Sequence, residues 1–350
     1  MLALYLIKNK HFEYKKIDSG IKLNKYKCRI KVKYAGICSS DIPRAFNRQS
    51  YFYPIVIGHE FSGIIDKVGD KVKNFKKGDK VTIYPLIPKK KIIPNLLKRG
   101  KFNLCTNYSY IGSRENGGFA EFVDVPEWNL YKIKNGLNLK LASIQEPTAV
   151  AFNVIDKIEK IRNKQKKIII FGAGFISQII IRILFRMNAD ITVVDRNQFK
   201  LNLASKYSSN CIKYEFGNKI FKLKNKNFDY VIDSIGNNDS INLGINILKP
   251  EGKLIEFGNI YENISLNKKN CNFLLRKELI LQGVWNSTFK SKHNNWKQSE
   301  TFLMKYPKDF KNLFTHEVNF HQLKDLFKQI YLSKKKKITL NYLKGLAKIN

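Results

Sequence analysis

Residues that can bind zinc stand at three places in the sequence. Gly58-His59-Glu60 closes an apolar run, Cys38 lies upstream of it, and Glu146 lies far downstream. A thiolate, an imidazole and one or two carboxylates form the mixed sulfur, nitrogen and oxygen set that suits zinc. Three protein ligands would leave one position open for water or substrate, as in a catalytic site. A plainer interpretation stays open, because a lone cysteine is often core filler and a His-Glu pair often lies in a solvated loop.

A second set of residues has the spacing of a dinucleotide-binding βαβ unit. Residues 166–171 predict a buried parallel strand, a glycine turn follows, and residues 191–195 predict a strand that ends in an acid. The turn would bring backbone close to a pyrophosphate at the helix N-terminus, and the acid would bind the ribose hydroxyls. Ser177 replaces the third glycine and is small enough for the helix to pack on the strand. The alternative is a glycine turn of some other α/β fold. The candidate cofactor-binding residues are Gly172, Gly174, Phe175, Ile176, Asp195 and Arg196.

The two sets together resemble the zinc-dependent medium-chain alcohol and polyol dehydrogenases. Cys38 in its Gly-x-Cys-x-Ser-Asp setting, the Gly58-His59-Glu60 triplet and Glu146-Pro147 match that family in order and spacing. The resemblance implies an α/β chain with a GroES-like distorted β-barrel catalytic domain and a Rossmann domain with a doubly wound parallel sheet. The implied domains are the catalytic domain at 1–150, the Rossmann domain at 151–285, and a return to the catalytic domain with a tail at 286–350.

The resemblance also implies catalytic roles. Zinc would act as a Lewis acid on a secondary alcohol, with Cys38, His59 and either Glu60 or Glu146 as ligands. If Glu146 is not a ligand, it would orient the metal-bound water. Ser40 matches the hydroxyl position that relays the proton in relatives. The next residue, Asp41, would orient the substrate or the histidine.

NAD is the cofactor that the sequence favours. Asp195 would repel the 2′-phosphate of NADP, although the adjacent Arg196 could accept one. Gly236 and Gly258 fall at predicted strand C-termini, where a nicotinamide would lie, but plain turns explain them as well. Gly69 and Gly78 are predicted as turn residues with unusual backbone angles.

The sequence departs from the family in two places. Relatives often carry a structural zinc lobe with four cysteines, but this chain keeps only Cys105 and has Lys91, Pro94 and Leu97 at the other positions. One thiol cannot hold a tetrahedral zinc, so we expect a metal-free lobe over about 88–105, the least ordered part of the chain. The tail from Lys334 onward is expected to lack the final strand that is usual in the family.

Two arginines are candidate ligands of a phosphate group on the substrate. Arg44 and Arg114 stand in segments that look most like the galactitol-1-phosphate 5-dehydrogenase branch of the family, and a guanidinium fork fits phosphate oxygens. Either arginine could equally be a surface residue. The implied reaction is therefore oxidation of galactitol 1-phosphate to tagatose 6-phosphate, with a free polyol, a threonine-type amino alcohol or a butanediol as alternatives.

Composition narrows the class of protein. The 350 residues suit two domains, no apolar run is long enough to span a membrane, and the apolar start reads as a strand rather than a signal peptide. Five scattered cysteines form no disulfide framework, which favours the cytoplasm.

The net charge of +36 is spread along the chain, which favours a compositional bias over a specific nucleic-acid surface. The remaining alternatives are a catalytically degenerate dinucleotide-binding protein and a moonlighting nucleic-acid binder, the latter motivated only by charge. The family implies a dimer or tetramer.

Overall fold

The computed structural model describes residues 1–16, 22–89, 94–158, 166–214, 227–292 and 294–349. The chain folds as two compact units. The first comprises Met1–Ala149 and Ser287–Asn350, and the second comprises Val150–Asn286. The candidate metal ligands belong to the first unit and the glycine turn belongs to the second.

The first unit is built mainly from strands. Its strands are β1 (Leu2–Lys8), β2 (His11–Lys16), β3 (Lys27–Ile37), β4 (Ile55–Val56), β5 (Glu60–Val68), β6 (Lys80–Ile83), β7 (Leu86–Pro88), β8 (Tyr108–Tyr110), β9 (Phe122–Pro126), β10 (Leu130–Lys132), β17 (His316–Asn319) and β18 (Gly345–Lys348). The largest sheet has the order β10-β6-β5-β3-β18-β17, and β9 also pairs with β3. A smaller sheet has the order β2-β1-β4, and β7 pairs with β8.

The helices of both units follow the same numbering in chain order. They are α1 (Asp41–Phe46), α2 (Pro94–Lys98), α3 (Leu139–Ala142), α4 (Gln145–Ile155), α5 (Phe175–Arg186), α6 (Gln198–Ser205), α7 (Asn238–Ile247), α8 (Lys268–Arg276), α9 (Asn295–Lys305) and α10 (Leu323–Lys334). Asparagine caps many of them, since a short amide side chain accepts a hydrogen bond from the first helical turn. The capping residues are Asn138, Asn197, Asn237, Asn267 and Asn294.

Apolar side chains of β1, β3 and β5 form the core of the first unit. Leu4, Leu6, Ile30, Val32 and Phe61 are essentially excluded from solvent. Burial of this kind contributes roughly 25 cal/mol per Å² of apolar surface removed from water. Two of these strands, β3 and β5, carry or adjoin candidate ligands, so the core fixes the backbone that presents them.

The expectation of an irregular tail is wrong. After α10 the chain forms β18, which pairs antiparallel with β3 and parallel with β17. Leu346 and Ala347 of this strand are buried against the core. The short apolar run completes the sheet because residues 34–37 of β3 lie beyond the part of that strand that pairs with β9.

The two glycines predicted as turn residues, Gly69 and Gly78, are required for different structural reasons. Gly78 adopts a φ of +89°, in the left-handed region that favours glycine. Gly69 does not, and the prediction of an unusual backbone angle there is wrong. Instead, a Cβ on Gly69 would meet the carbonyl oxygen of Asn24 at 2.4 Å. Close passage of a neighbouring backbone explains this glycine.

The hairpin of β7 and β8 closes the base of the lobe for which no structural zinc is expected. Leu86 pairs with Tyr110 across it. Within the described part of the lobe, α2 is followed by a 3₁₀ helix at Phe102–Leu104, and the Cys105 thiol donates to the Asn107 carbonyl oxygen at 3.0 Å. Lys91 lies outside the described residues. Low order and absence of metal in the lobe stay predictions.

The second unit contains a six-stranded parallel sheet. Its strands are β11 (Lys167–Phe171), β12 (Asp190–Asp195), β13 (Asn210–Lys213), β14 (Phe228–Asp233), β15 (Leu248–Glu256) and β16 (Ile280–Gly283). Their spatial order is β13-β12-β11-β14-β15-β16. Numbered from the first strand, this is the 3-2-1-4-5-6 order of a doubly wound Rossmann sheet. Ligands of such sheets bind at the switch point, here the carboxyl ends of β11 and β14.

Helix α5 follows β11 directly, as the glycine turn predicts. Its residues from Ser177 to Leu184 are buried, which allows the helix to pack on the sheet. The helix ends at Arg186, and Asn188 then adopts a left-handed φ of 60°. Among the described residues, no helix combines the length and the apolar character that a membrane span requires.

Candidate metal centre and dinucleotide site

Strand ends and one helix start position the candidate ligands. Cys38 follows β3, and Asp41 opens α1 immediately afterwards. His59 precedes β5, and Glu60 is its first residue. Because β3 and β5 pair with Gly36 opposite Glu60, the two segments meet at one end of the sheet.

The Gly112–Phe119 segment braces the backbone before His59. Backbone N–H groups of Gly117, Gly118 and Phe119 donate to the carbonyl oxygens of residues 56, 58 and 57 at 2.7–3.1 Å. A Cβ on Gly117 would lie 2.1 Å from the Gly58 carbonyl oxygen, so no larger residue fits. Gly58 itself has a φ of +99°. These glycines are the reason that the histidine loop can pack so closely.

The structure brings Cys38, His59 and Glu60 together. One ligand atom from each lies within 4.8 Å of the others, which makes this the one such cluster of three or more among the described residues. The imidazole and the carboxylate are buried, and the thiol is partly exposed. Sulfur, nitrogen and oxygen donors at this separation fit a zinc ion with an open position on the exposed side.

Polar contacts of Ser40 and Asp41 support the cluster. Ser40 Oγ donates to Cys38 Sγ at 3.3 Å, and the Cys38 N–H donates to Asp41 Oδ2 at 3.0 Å. Asp41 Oδ1 lies 3.5 Å from His59 Nδ1 and accepts from Arg44 Nη1 at 2.8 Å. A carboxylate behind a histidine is the usual second partner of a zinc-binding imidazole.

The charges of this cluster shift its pKa values. Burial alone would lower the pKa of His59, but the carboxylate of Asp41 and the sulfur of Cys38 outweigh it and raise the pKa well above the usual value. Burial would raise the pKa of Asp41, but His59 and then Arg44 hold it below the ordinary value. A metal that displaces the imidazole proton would therefore bind with release of a proton.

Glu146 lies beside this cluster at the start of α4. Its Oε1 accepts from the Tyr110 hydroxyl at 3.4 Å, and the Tyr110 ring lies edge-on to the His59 ring at 5.7 Å between centroids. Burial raises the pKa of Glu146 to about 7, His59 lowers it, and Glu60 adds to the rise. Glu146 is outside the three-residue cluster, which favours Glu60 as the third protein ligand.

Sequence reasoning missed Lys344 and Tyr110. The Lys344 ammonium group forms a buried ion pair with Glu60 Oε2 and also donates to the Ile37 carbonyl oxygen at 3.0 Å. No local motif marks either residue. The only available signal for Lys344 was the short apolar run that follows it, which predicts the strand that brings it here.

The glycine turn of the second unit has the features of a pyrophosphate site. Gly172 has a φ of +85°, and a Cβ there would meet Ser234 Oγ at 2.3 Å. Gly174 is the N-cap of α5 and provides no side-chain cap, while a Cβ on it would face open space. Phe175 and Ile176 are half-buried in the first turn of the helix. The N-terminus of a helix such as α5 suits an anionic ligand.

Asp195 ends β12 and closes the turn. Its Oδ2 accepts from the Ala173 N–H at 2.6 Å and its Oδ1 accepts from the Asn197 N–H at 2.7 Å. Each carboxylate oxygen keeps further acceptor capacity for a ribose hydroxyl. The neighbouring Arg196 is exposed.

Gly236 and Gly258 lie in two loops that pass close together. A Cβ on Gly258 would meet the backbone of Ser234 at 2.7 Å, and Gly236 has a φ of +67°. Beside them lie two carboxyl groups of the sheet, Asp233 and Glu256. Burial and then Asp233 raise the pKa of Glu256 to about 9.

The two candidate phosphate ligands already have partners. Arg44 bonds Asp41, and its side chain is 13% exposed. Arg114 stacks on the rings of Tyr51 and Tyr108 and donates to the Tyr108 carbonyl oxygen at 2.7 Å. Each guanidinium group has five donors, so these contacts leave capacity for an anion.

Fold and site define a class of protein, the dinucleotide-dependent dehydrogenases that carry a catalytic metal. The chain belongs to the zinc-binding medium-chain dehydrogenases. Residues 24–135 match the alcohol dehydrogenase GroES-like domain, and residues 176–305 match the zinc-binding dehydrogenase domain. The family and fold expected from the sequence are confirmed.

Similar proteins include a galactitol 1-phosphate 5-dehydrogenase and a probable D-xylulose reductase. The chain is 29% identical over 309 residues to galactitol 1-phosphate 5-dehydrogenase of Escherichia coli K12, covering 86% of this chain and 88% of the relative. It is 27% identical over 324 residues to the probable D-xylulose reductase A of Aspergillus clavatus, covering 87% and 86%. The crystal structure of galactitol-1-phosphate dehydrogenase from Escherichia coli superposes with a TM-score of 0.89 at 24% identity and covers 100% of both chains.

Proposed function

We propose that this protein is a zinc-dependent oxidoreductase that transfers a hydride between NAD and a secondary alcohol of a sugar alcohol or its phosphate. The observation that carries the proposal is the convergence of Cys38, His59 and Glu60 within 4.8 Å, in a chain that also carries the glycine turn and Asp195. A dinucleotide-binding protein without catalysis would need no such cluster of metal-binding groups.

Each polar residue at the metal centre has a proposed task. Cys38, His59 through Nε2, and Glu60 would hold zinc, which when bound would polarise the substrate hydroxyl. Asp41 orients the imidazole through Nδ1. Ser40, whose hydroxyl lies 3.3 Å from the Cys38 sulfur, would pass the substrate proton outward. Glu146, outside the cluster, would orient water or substrate at the open position.

The proposed cofactor is NAD rather than NADP. Asp195 is fixed by two backbone N–H groups, so its carboxylate cannot easily turn away from a 2′-phosphate. The side chain of Arg196 is exposed, and the carboxylate of Asp195 would face the ribose. NAD itself would accept the hydride, while the turn at Gly172 and Gly174 would hold the pyrophosphate.

The proposed substrate is galactitol 1-phosphate, oxidised to tagatose 6-phosphate. Support comes from the 29% identity to the dehydrogenase of that name and from the two arginines, Arg44 and Arg114. Free polyols, threonine and butanediol are the alternatives within the family. The phosphate ester is preferred because Arg44 shares the carboxylate of Asp41, beside His59.

We further propose a homo-oligomer in the cytoplasm. Strand β16 is an edge of its sheet, and Leu275, Ile280 and Leu281 near that edge are 76%, 47% and 44% exposed. An apolar edge of this kind is covered in most proteins, here by a second copy. All five cysteines are free thiols, in keeping with a reducing compartment. Light scattering should give a dimer or tetramer and not a monomer.

The function is tested by NADH formation with galactitol 1-phosphate and with free galactitol, each with and without a strong chelator. Chelator-sensitive turnover of the phosphate ester would support the whole proposal, and metal analysis should give about one zinc per chain. Turnover of free polyols alone would discard the phosphate assignment. Protein that binds NADH but carries no zinc and turns over nothing would contradict the enzyme and favour a degenerate binder.

A further inference from the structure

A lysine is buried next to one of the candidate zinc ligands. The side chains of Lys344 and Glu60 are each 2% exposed and form an ion pair through Glu60 Oε2. The ammonium group has a second partner, the carbonyl oxygen of Ile37 at 3.0 Å. Ile37 is the last residue of β3 and precedes Cys38, so this lysine contacts the backbone next to one ligand and the carboxylate of another.

The sheet builds this contact from three adjacent strands. Gly36 of β3 pairs with Glu60 of β5 on one side and with Leu346 of β18 on the other. A Cβ on Gly36 would lie 2.9 Å from Glu60 Oε2 and 3.2 Å from Lys344 Nζ. The glycine therefore leaves the space in which the carboxylate and the ammonium group meet across β3.

Stability alone does not account for such a pair. Replacement of a buried ion pair by apolar side chains is often neutral or stabilising, because two charges lose their hydration. Here the surroundings contain a further acidic group. Glu146 lies beside the same cluster, where its Oε1 accepts from the Tyr110 hydroxyl at 3.4 Å. A fixed positive charge at this place offsets the accumulation of carboxylates around the cluster.

We propose that Lys344 is a positioning residue of the metal centre: it binds Oε2 of Glu60, so that Glu60 offers one oxygen to the metal, and it supplies the balancing charge when no metal is bound. This inference depends on the zinc site of the proposed function. Without Lys344, both oxygens of Glu60 would be open to the metal, and the metal-free site would contain a buried carboxylate with no cation beside it.

Cobalt(II) gives a readout of ligand number that does not depend on turnover. The full chain is purified as wild type, Lys344→Met, Lys344→Arg and Gly36→Ala, with Lys348→Met as a control on the exposed lysine that ends β18. Gly36→Ala should fold, because the atoms nearest its new Cβ are the ends of flexible side chains. Each protein is stripped of metal, titrated with cobalt chloride and melted with and without the metal.

The wild type, Lys344→Arg and Lys348→Met should give the same intense visible absorption of four-coordinate cobalt. Lys344→Met and Gly36→Ala should lose about half of that intensity, because a second carboxylate oxygen raises the coordination number. In Lys344→Met the melting temperature should fall by about 5 °C more without metal than with it.

Two results would overturn the inference. Equal losses of melting temperature with and without cobalt, together with a wild-type spectrum in Lys344→Met, would make Lys344 a structural residue only. If Lys344→Met cannot be purified, a wild-type spectrum of Gly36→Ala leads to the same conclusion. A wild-type protein that binds neither cobalt nor zinc would instead contradict the proposed zinc enzyme itself, and the inference with it.

Discussion

The Oδ1 atom of Asp41 lies 3.5 Å from Nδ1 of His59 and 2.8 Å from Nη1 of Arg44. One buried carboxylate thus faces an imidazole and is itself bonded by a guanidinium group. Asp41→Asn should weaken zinc binding by about 10- to 100-fold, because the imidazole loses its anionic partner. Competition with a chelating dye measures this. Asp325→Asn on the exposed face of α10 is the control and should bind zinc normally. Unchanged affinity in Asp41→Asn would remove Asp41 from the metal site.

Substitutions of Glu60 and Glu146 should have different effects on zinc content and on turnover. Glu60→Gln should lose most of its zinc, because a neutral amide is a poor zinc ligand. Glu146→Gln should keep close to one zinc per chain but lose at least about tenfold in kcat, since Glu146 stands outside the ligand cluster. Metal analysis and turnover on the same preparations decide the matter. Loss of zinc from Glu146→Gln with retention in Glu60→Gln would reverse the assignment.

Cofactor choice should depend on Asp195. Asp195→Asn should raise the KM for NAD by about tenfold and lower that for NADP, because charge repulsion with a 2′-phosphate disappears while a ribose hydrogen bond weakens. Initial rates with both cofactors measure the ratio of the KM for NAD to the KM for NADP. Asp190→Asn, at the opposite end of β12, should leave it unchanged. If this KM ratio is unaltered in Asp195→Asn, the ribose does not bind at Asp195.

The carboxyl group of Glu256 should make stability depend on pH. Burial and the Asp233 carboxylate raise its pKa to about 9, from an ordinary value of 4.5. Between these values the folded protein binds more protons than the unfolded chain, so the free energy of unfolding falls as the pH rises. Glu256→Gln should reduce the fall between pH 5 and 9 by about 1 kcal/mol, a value discounted for partial exposure.

Urea unfolding at pH 5, 7 and 9 measures this dependence. The exposed Glu278→Gln is the matched control and should follow the wild type at every pH. A Glu256→Gln curve parallel to the wild type would mean that this carboxyl group titrates normally in the folded protein.

Local patterns in the sequence predicted much of the fold and the candidate site. The dinucleotide turn is contiguous, and the spacing from Gly174 to Asp195 follows from the length of one helix and one strand. Gly58-His59-Glu60 is likewise a single short segment. Cys38 is separate, but its own Gly-x-Cys-x-Ser-Asp setting marks it.

Such local patterns could not identify residues that come into contact from strands far apart in the sequence. Lys344 and Glu60 are 284 residues apart in the chain, and only the pairing of β18 with β3 brings them together. Tyr110 approaches His59 and Glu146 from a hairpin with no motif of its own. Gly69 shows a further limit, because a turn and a close backbone contact both require glycine and look alike in sequence.

The strand order around Gly36 also has a consequence for biosynthesis. Domains generally fold as units while the chain is made from its N-terminus. Cys38, His59 and Glu60 leave the ribosome early, but β18 and Lys344 come among the last residues of the sequence. A chain that stops before residue 344 would contain every candidate zinc ligand and still lack the cation beside Glu60. The ammonium group can therefore reach Glu60 only after Lys344, 284 residues further along the chain, has been synthesised.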